Sequence, residues 1–206
     1  DLDSDGNISG VELLPWGQDE CVLYEVLLYP TGSERTVAPG TLAVVEYASD
    51  HWNPGPRSVA VDAFNNCWVG THDNKMFYYV DGGSGAILRD ESMAQWDHTA
   101  YGAVIDGNGV LWSSGQDKDH VLYIQPTGDP ASDPLNIGTL PVDHFAYGLG
   151  VDSSGHLFVS GWEENKVSKV DIALPPSLIK TVADVLTHEG RGVAVTPADN
   201  NVWVVS

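Results

Sequence analysis

The chain has 206 residues, 42% of them hydrophobic, with 22 Gly and 12 Pro, which allows one sizeable domain with a buried core. Its 29 acidic side chains against 9 basic ones leave a formal net charge of −20, a surface that repels a phosphate backbone or an anionic membrane and so argues against nucleic acid and lipid as partners. No apolar run approaches the roughly 20 residues that a membrane-spanning helix needs, so no membrane insertion is expected.

The chain opens on Asp1-Leu-Asp3-Ser-Asp5-Gly6-Asn7-Ile8-Ser9-Gly-Val-Glu12. Asp1, Asp3, Asp5 and Ser9 offer oxygen ligands at positions one, three, five and nine. Asn7 supplies a backbone carbonyl, Gly6 the sharp turn, and Glu12 a bidentate carboxylate, which is the spacing of a twelve-residue Ca2+ loop. Pro15 limits any following helix to about one turn. Residues 1–14 therefore resemble a single dockerin-type or thrombospondin-type calcium loop more than a paired EF-hand. Such loops stiffen linkers on secreted proteins, and with the acidic surface this predicts an extracellular or cell-surface protein of bacterial type. Because Asp1 lies inside the motif, the native N-terminus is expected further upstream.

Residues 15–54 read as a linker with outer strands of a partial blade at Val22 to Leu28 and Leu42 to Tyr47. Cys21 and Cys67 lack the spacing of a zinc site or a redox motif, and could pair in an oxidising compartment.

From residue 55 onward the chain repeats itself. Ser58-Val-Ala-Val-Asp62, Gly102-Ala-Val-Ile-Asp106, Gly148-Leu-Gly-Val-Asp152 and Gly192-Val-Ala-Val-Thr196 recur at steps of 44, 46 and 44 residues. Each is followed by a turn and a second apolar run carrying Trp68, Trp112, Phe158 or Trp203, in places that predict core packing. Asp106-Gly-Asn-Gly109 and Asp152-Ser-Ser-Gly155 put a side-chain acceptor first and a residue tolerant of positive φ last, as a tight turn requires. Third runs cover Met76 to Val80, Val121 to Ile124 and Val167 to Val170, and weaker fourth runs follow. Four antiparallel strands per repeat make an all-β fold, a β-propeller built of such blades. The reading gives blades at 55–98, 99–144 and 145–188 and a partial one at 189–206, within a propeller of six or seven blades when complete.

The phase of the repeat gathers scattered residues onto one face. His98, His144 and His188 each stand eight residues before the anchor position, in the loop entering the innermost strand. His72, Gln116 and Trp162 occupy the loop joining the second and third strands, at the same end. Arg57, Tyr101, Tyr147 and Arg191 form the column at the entry of the innermost strand. A ring of imidazoles could act as general base or hold a divalent metal. Equally, each histidine could hydrogen-bond the neighbouring blade. Aromatic and arginine side chains suit recognition of a small molecule, a sugar or a peptide.

The order of Gly, apolar strand, Asp-x-x-Gly and aromatic strand resembles the virginiamycin B (streptogramin) lyase propellers, and more broadly the NHL-like and gluconolactonase-like propellers. The lyase resemblance implies a magnesium-dependent eliminase that opens a cyclic depsipeptide, with paired histidines such as His98, His144 and His188 as its catalytic set and Mg2+ or another divalent ion at the propeller face. That family also carries a glutamate after its aromatic strand, in a Trp-Phe-Thr-Glu run. Here the matching stretches are Trp68-Val-Gly-Thr71, Trp112-Ser-Ser-Gly115 and Phe158-Val-Ser-Gly161, none with the acid. The expected function is a calcium-binding propeller acting as a recognition module, with a lyase or an architectural repeat as the alternatives.

Overall fold

The computed structural model describes residues 22–28, 32–41, 55–183 and 188–206. The expected calcium loop (Asp1, Asp3, Asp5, Asn7, Ser9 and Glu12) and the run Leu42 to Tyr47 lie outside them.

Short apolar runs separated by Asp- and Gly-bearing turns form three antiparallel sheets of four strands. The first contains β3 (Pro56–Val61), β4 (Cys67–Thr71), β5 (Met76–Val80) and β6 (Ile87–Ser92), paired in chain order. The second contains β7 (Ala100–Ile105), β8 (Leu111–Gly115), β9 (His120–Pro126) and β10 (Leu135–Pro141), and the third β11 (Ala146–Val151), β12 (His156–Gly161), β13 (Val167–Asp171) and β14 (Ser177–Val182). A two-stranded sheet, β15 (Gly192–Val195) with β16 (Val202–Val205), follows them, and β1 (Glu25–Leu27) with β2 (Arg35–Val37) precedes them. The β1–β2 pair turns back at 35–37, earlier than the expected second run.

In each of the three four-stranded blades the first turn is closed by its anchor carboxylate. Asp62 Oδ1 accepts from the amides of Phe64 and Asn66 at 2.8 and 2.9 Å. Asp152 Oδ1 does the same for Ser154 and His156 at 2.9 and 2.8 Å. Gly109 and Gly155 then take φ of 78° and 84°, which only glycine adopts without strain. The repeated Asp thus has a structural task at every copy.

The core lies between the sheets. Ala60, Trp68, Phe77, Tyr79, Met93 and Ala100 pack with Leu111, Leu122 and Ile124 across the first and second blades. Val110, Trp112, Val121, Val142 and Ala146 pack with Leu149, Leu157, Val159, Val170 and Ile172 across the second and third. The innermost strands β3, β7, β11 and β15 stand side by side in that order. Polar stitches join them: the Ser114 hydroxyl donates to the Tyr147 carbonyl, and the Ser160 hydroxyl to the Gly190 carbonyl at 3.2 Å. A Cβ on Gly148 would run into the Arg191 carbonyl, so the close approach of β11 to β15 depends on that glycine.

Trp68 and Trp112 are buried as expected of core residues. Phe158 and Trp203 depart from that expectation. Trp68 and Trp112 lie in cores shared with the blade that follows each, whereas among the described residues Phe158 is followed by the β15–β16 pair alone. It lines a groove of about 590 Å3 with Val167, Ile179, Val182 and Trp203. Trp203 is 62% exposed, with no further sheet among the described residues to cover it.

Candidate functional site

Three of the four entry residues sit at a β-bulge. In β3 the register jumps from Pro56↔Thr71 to Ser58↔Gly70, with Arg57 at the shift. In β7 it jumps from Ala100↔Gly115 to Gly102↔Ser114, with Tyr101 at the shift. In β11 it jumps between Ala146 and Leu149, across Tyr147. A bulge bends the strand and re-aims a side chain, and the same irregularity recurring at one phase turns the same column outward.

What it builds is a continuous run of side chains. The Arg57 guanidinium lies 5.5 Å from the Tyr101 ring centre. The rings of Tyr101 and Tyr147 are 4.5 Å apart and their hydroxyls share a hydrogen bond of 2.6 Å. Tyr147 stacks on Trp162 at 4.7 Å with 16° between the planes, and the Arg191 guanidinium lies 4.4 Å from the Trp162 ring centre. Burial, followed by the hydrogen bond to Tyr101, pushes the Tyr147 hydroxyl up to about 12. Arg191 is also paired with Glu189 at 2.8 Å. His72 meets the edge of the Tyr101 ring at 6.3 Å between centres. The phase expectation therefore brings Arg57, Tyr101, Tyr147, Trp162, Arg191 and His72 together.

Beside this ladder His72, Gln116 and Trp162 line a cavity of about 210 Å3, completed by Asp117, Phe145 and Glu163. These last three were not foreseen. Asp117 and Glu163 directly follow Gln116 and Trp162 in the strand-joining loops, and Phe145 follows His144, so sequence adjacency was the available signal. Burial works against the Asp117 carboxylate, but the Thr99 hydroxyl at 2.7 Å and nearby Lys118 outweigh it and hold its pKa below the usual range. His72 Nδ1 lies 2.8 Å from Asp73 Oδ1. A carboxylate can only accept, so Nδ1 carries the proton of this bond.

His98 and His144 are placed differently. Both were expected on the same face, in the loop entering the innermost strand, and both are inside the protein, 0% and 2% exposed. Each follows an aspartate in the left-handed region, Asp97 with φ 50° and Asp143 with φ 60°. The Ser113 hydroxyl donates to the Gly102 carbonyl at 3.0 Å, so His98 Nε2–H donates to Ser113 Oγ at 2.9 Å. His98 Nδ1 is then the acceptor for His120 Nε2–H at 3.3 Å. His144 Nε2 pairs with Ser168 Oγ at 2.8 Å, and Ser168 in turn with the Val142 carbonyl at 3.1 Å. Burial, then the neighbouring His120, pushes His98 down to about 3, and burial lowers His120 and His144 as well. These imidazoles are neutral, spoken for, and fasten the inter-blade connector to the blade that follows.

His188 stands apart, exposed, in an open cavity with Glu163, Glu164, Asn165, Lys166 and Glu189. Among the described residues no three His, Cys, Asp or Glu side chains converge as a bound metal ion would require. The described residues of this face therefore bring no such donor set together.

No family model matches the chain, and no curated protein matches it. Solved structures do. A catalytically inactive virginiamycin B lyase from Staphylococcus aureus, crystallised with quinupristin, superposes with a TM-score of 0.61 at 14% identity, over 76% of this chain and 50% of that one. The hydrazine synthase of Kuenenia stuttgartiensis gives 0.62 at 11% identity, over 79% and 45%. The β-propeller domain of Cps50 (Swd1) from Myceliophteria thermophila gives 0.58 at 11% identity, over 74% and 49%. The chain thus spans about half the length of the structures it matches. At such identities the likeness is one of fold: this is an all-β chain of four-stranded antiparallel blades, a β-propeller arc.

Proposed function

We propose that this protein is a secreted or surface-associated recognition module that binds a small molecule, glycan or peptide on the face bearing the aromatic ladder. The observation that carries the reading is the run Arg57–Tyr101–Tyr147–Trp162–Arg191. Successive repeats contribute these side chains, Arg57, Tyr101 and Tyr147 at bulged positions, and none belongs to the cores that hold the blades together. Rigid aromatics and arginine are the residues that concentrate binding energy at interfaces. In the same reading Asp1, Asp3, Asp5, Asn7, Ser9 and Glu12 hold Ca2+ at the front of the module, supported by their spacing alone.

Peptide and glycan panels presented to the whole chain test the recognition reading, with Tyr147→Ala as the comparison. Removing the ring between Tyr101 and Trp162 should weaken any face-bound ligand about tenfold or more. The thermal midpoint should stay within a few degrees, because Tyr147 lies outside the cores. Ligands bound equally well by Tyr147→Ala and by Tyr101→Ala refute it.

A divalent-metal lyase is the second reading, supported by the resemblance of the repeat and the shape match to virginiamycin B lyase. It has less to work with here, since His98 and His144 are buried and engaged by serines.

A further inference from the structure

The two flanks of the arc are halves of one pattern. Within it, each inter-blade core joins a second-strand aromatic to alternate residues on the innermost strand of the next blade. Trp68 packs with Ala103 and Ile105, and Trp112 with Leu149 and Val151. By the period of the repeat, Val59 and Val61 are the counterparts of Ala103 and Ile105, and Trp203 is the counterpart of Trp68. These three join no such core among the described residues: Val59 is 59% exposed, Val61 60% and Trp203 62%.

The strands divide in the same way. β15–β16 is the inner half of a blade, and its two strands pair only with each other among the described residues. β1–β2 is an outer half. It packs Val26 and Leu28 on Val69, Tyr78 and Val80 of the first blade, and its Arg35-Thr-Val-Ala38 echoes Lys180-Thr-Val-Ala183 at the fourth strand of the third. Charge divides too. Lys169 and Lys180 stand directly opposite each other on β13 and β14 and line the groove beside β16. Like charges in that register repel. Neither has a carboxylate partner among the described residues, whereas Lys75, Lys118, Lys166, Arg89 and Arg191 each do. Residues 1–54 carry ten acidic side chains against one basic, Arg35.

We propose that a second copy of this chain covers these surfaces head to tail, β1–β2 of one copy completing the half-blade β15–β16 of the other. In the composite blade β1 pairs with the open edge of β16, which removes two unpaired edges at once. The side of the ribbon opposite Val26, which carries Leu27 and Val37, faces the groove. Trp203 then meets Val59 and Val61 of the second copy, remaking the core found between the whole blades. The acidic front of one copy is drawn to the lysine pair of the other. The chain spans about half the length of the propellers it matches, which suits closure of a ring by two copies. Each contact is heterologous, and closure is what keeps such contacts from growing into a filament. The inference concerns how copies assemble and does not rest on the recognition reading.

Analytical ultracentrifugation of the whole chain tests this, and the chain should sediment at twice the mass of one copy. Val59→Asp, on the front flank, and Trp203→Asp, on the back, should each weaken association at least tenfold. Both positions are exposed, so each variant should keep the circular dichroism of the folded monomer. Each variant retains one sound flank, so mixing the two should restore an association that neither shows alone. Lys169→Glu combined with Lys180→Glu should weaken the dimer several-fold. A chain that is monomeric at every concentration leaves the flanks to another protein and overturns the proposal. So does a dimer that either flank variant leaves intact, or one that mixing fails to restore, since a symmetric contact of two fronts or two backs behaves in that way.

Discussion

One carboxylate, that of Asp106, closes a turn and anchors a core indole. Its Oδ1 accepts from the Asn108 and Val110 amides at 2.8 and 3.1 Å, and its Oδ2 from Trp112 Nε1 at 3.0 Å. Both Asp106 and Trp112 are buried. Asp106→Ala strands three donors, one of them in the core between two blades, and should cost about 2–4 kcal/mol in urea unfolding. Asp106→Asn, which keeps an acceptor for the turn, should cost less. Equal losses for the two would show that the turn, and not the acceptor, is what matters. The turn role of Asp was legible in its place before Gly. Its hold on the aromatic was not, because that depends on which ring the fold brings near. At Asp62 the same oxygen accepts from Tyr79 at 2.6 Å, and at Asp152 it meets the His156 ring at 2.8 Å.

Among elements, the connectors between blades carry the clearest departure from the sequence expectation. Spacing assigned His98, His144 and His188 to one loop position, and the histidines do occupy it. His98 and His144 meet Ser113 and Ser168 of the blade that follows and are buried, while His188, which precedes the two-stranded β15–β16 sheet, is exposed. Asp97 is fixed in place by Lys118 and Lys75, which hold its carboxyl down at about 2. The buried imidazoles give the fold a pH limit. Unfolded histidines protonate near pH 6.5, whereas folding lowers His98 to about 3 and depresses His120 and His144. Below about pH 6.5 the unfolded chain binds more protons than the folded one, so stability falls with pH, on the order of 1.4 kcal/mol per unit for each histidine fully titrating only when unfolded. Urea midpoints measured between pH 7 and 4 should drop accordingly, and His144→Gln, which keeps a donor for Ser168, should flatten the slope. A slope unchanged in that variant would remove His144 from the account.

At the scale of the whole molecule the sequence spoke most clearly, since one period and one strand pattern, repeated, specify the blades. Packing of the last aromatics was less legible: Phe158 and Trp203 share the phase of Trp68 and Trp112, but burial depends on the neighbour each one meets, which periodicity does not supply. The front of the chain is tested in solution. Calorimetric titration of the whole chain with Ca2+ should release heat that Asp5→Ala abolishes, because that loop position supplies an oxygen ligand. No heat from the unaltered chain would remove calcium from the reading.

The bulges at Arg57, Tyr101 and Tyr147 have a consequence for how such a surface can change. A residue standing outside the ladder register is insulated from the pairing that defines its sheet, as the exchange of Arg for Tyr between neighbouring repeats of the same frame already illustrates. Those three positions, with Arg191, act as interchangeable letters written on an invariant page, and new specificities can be spelled there without redrawing the blades beneath.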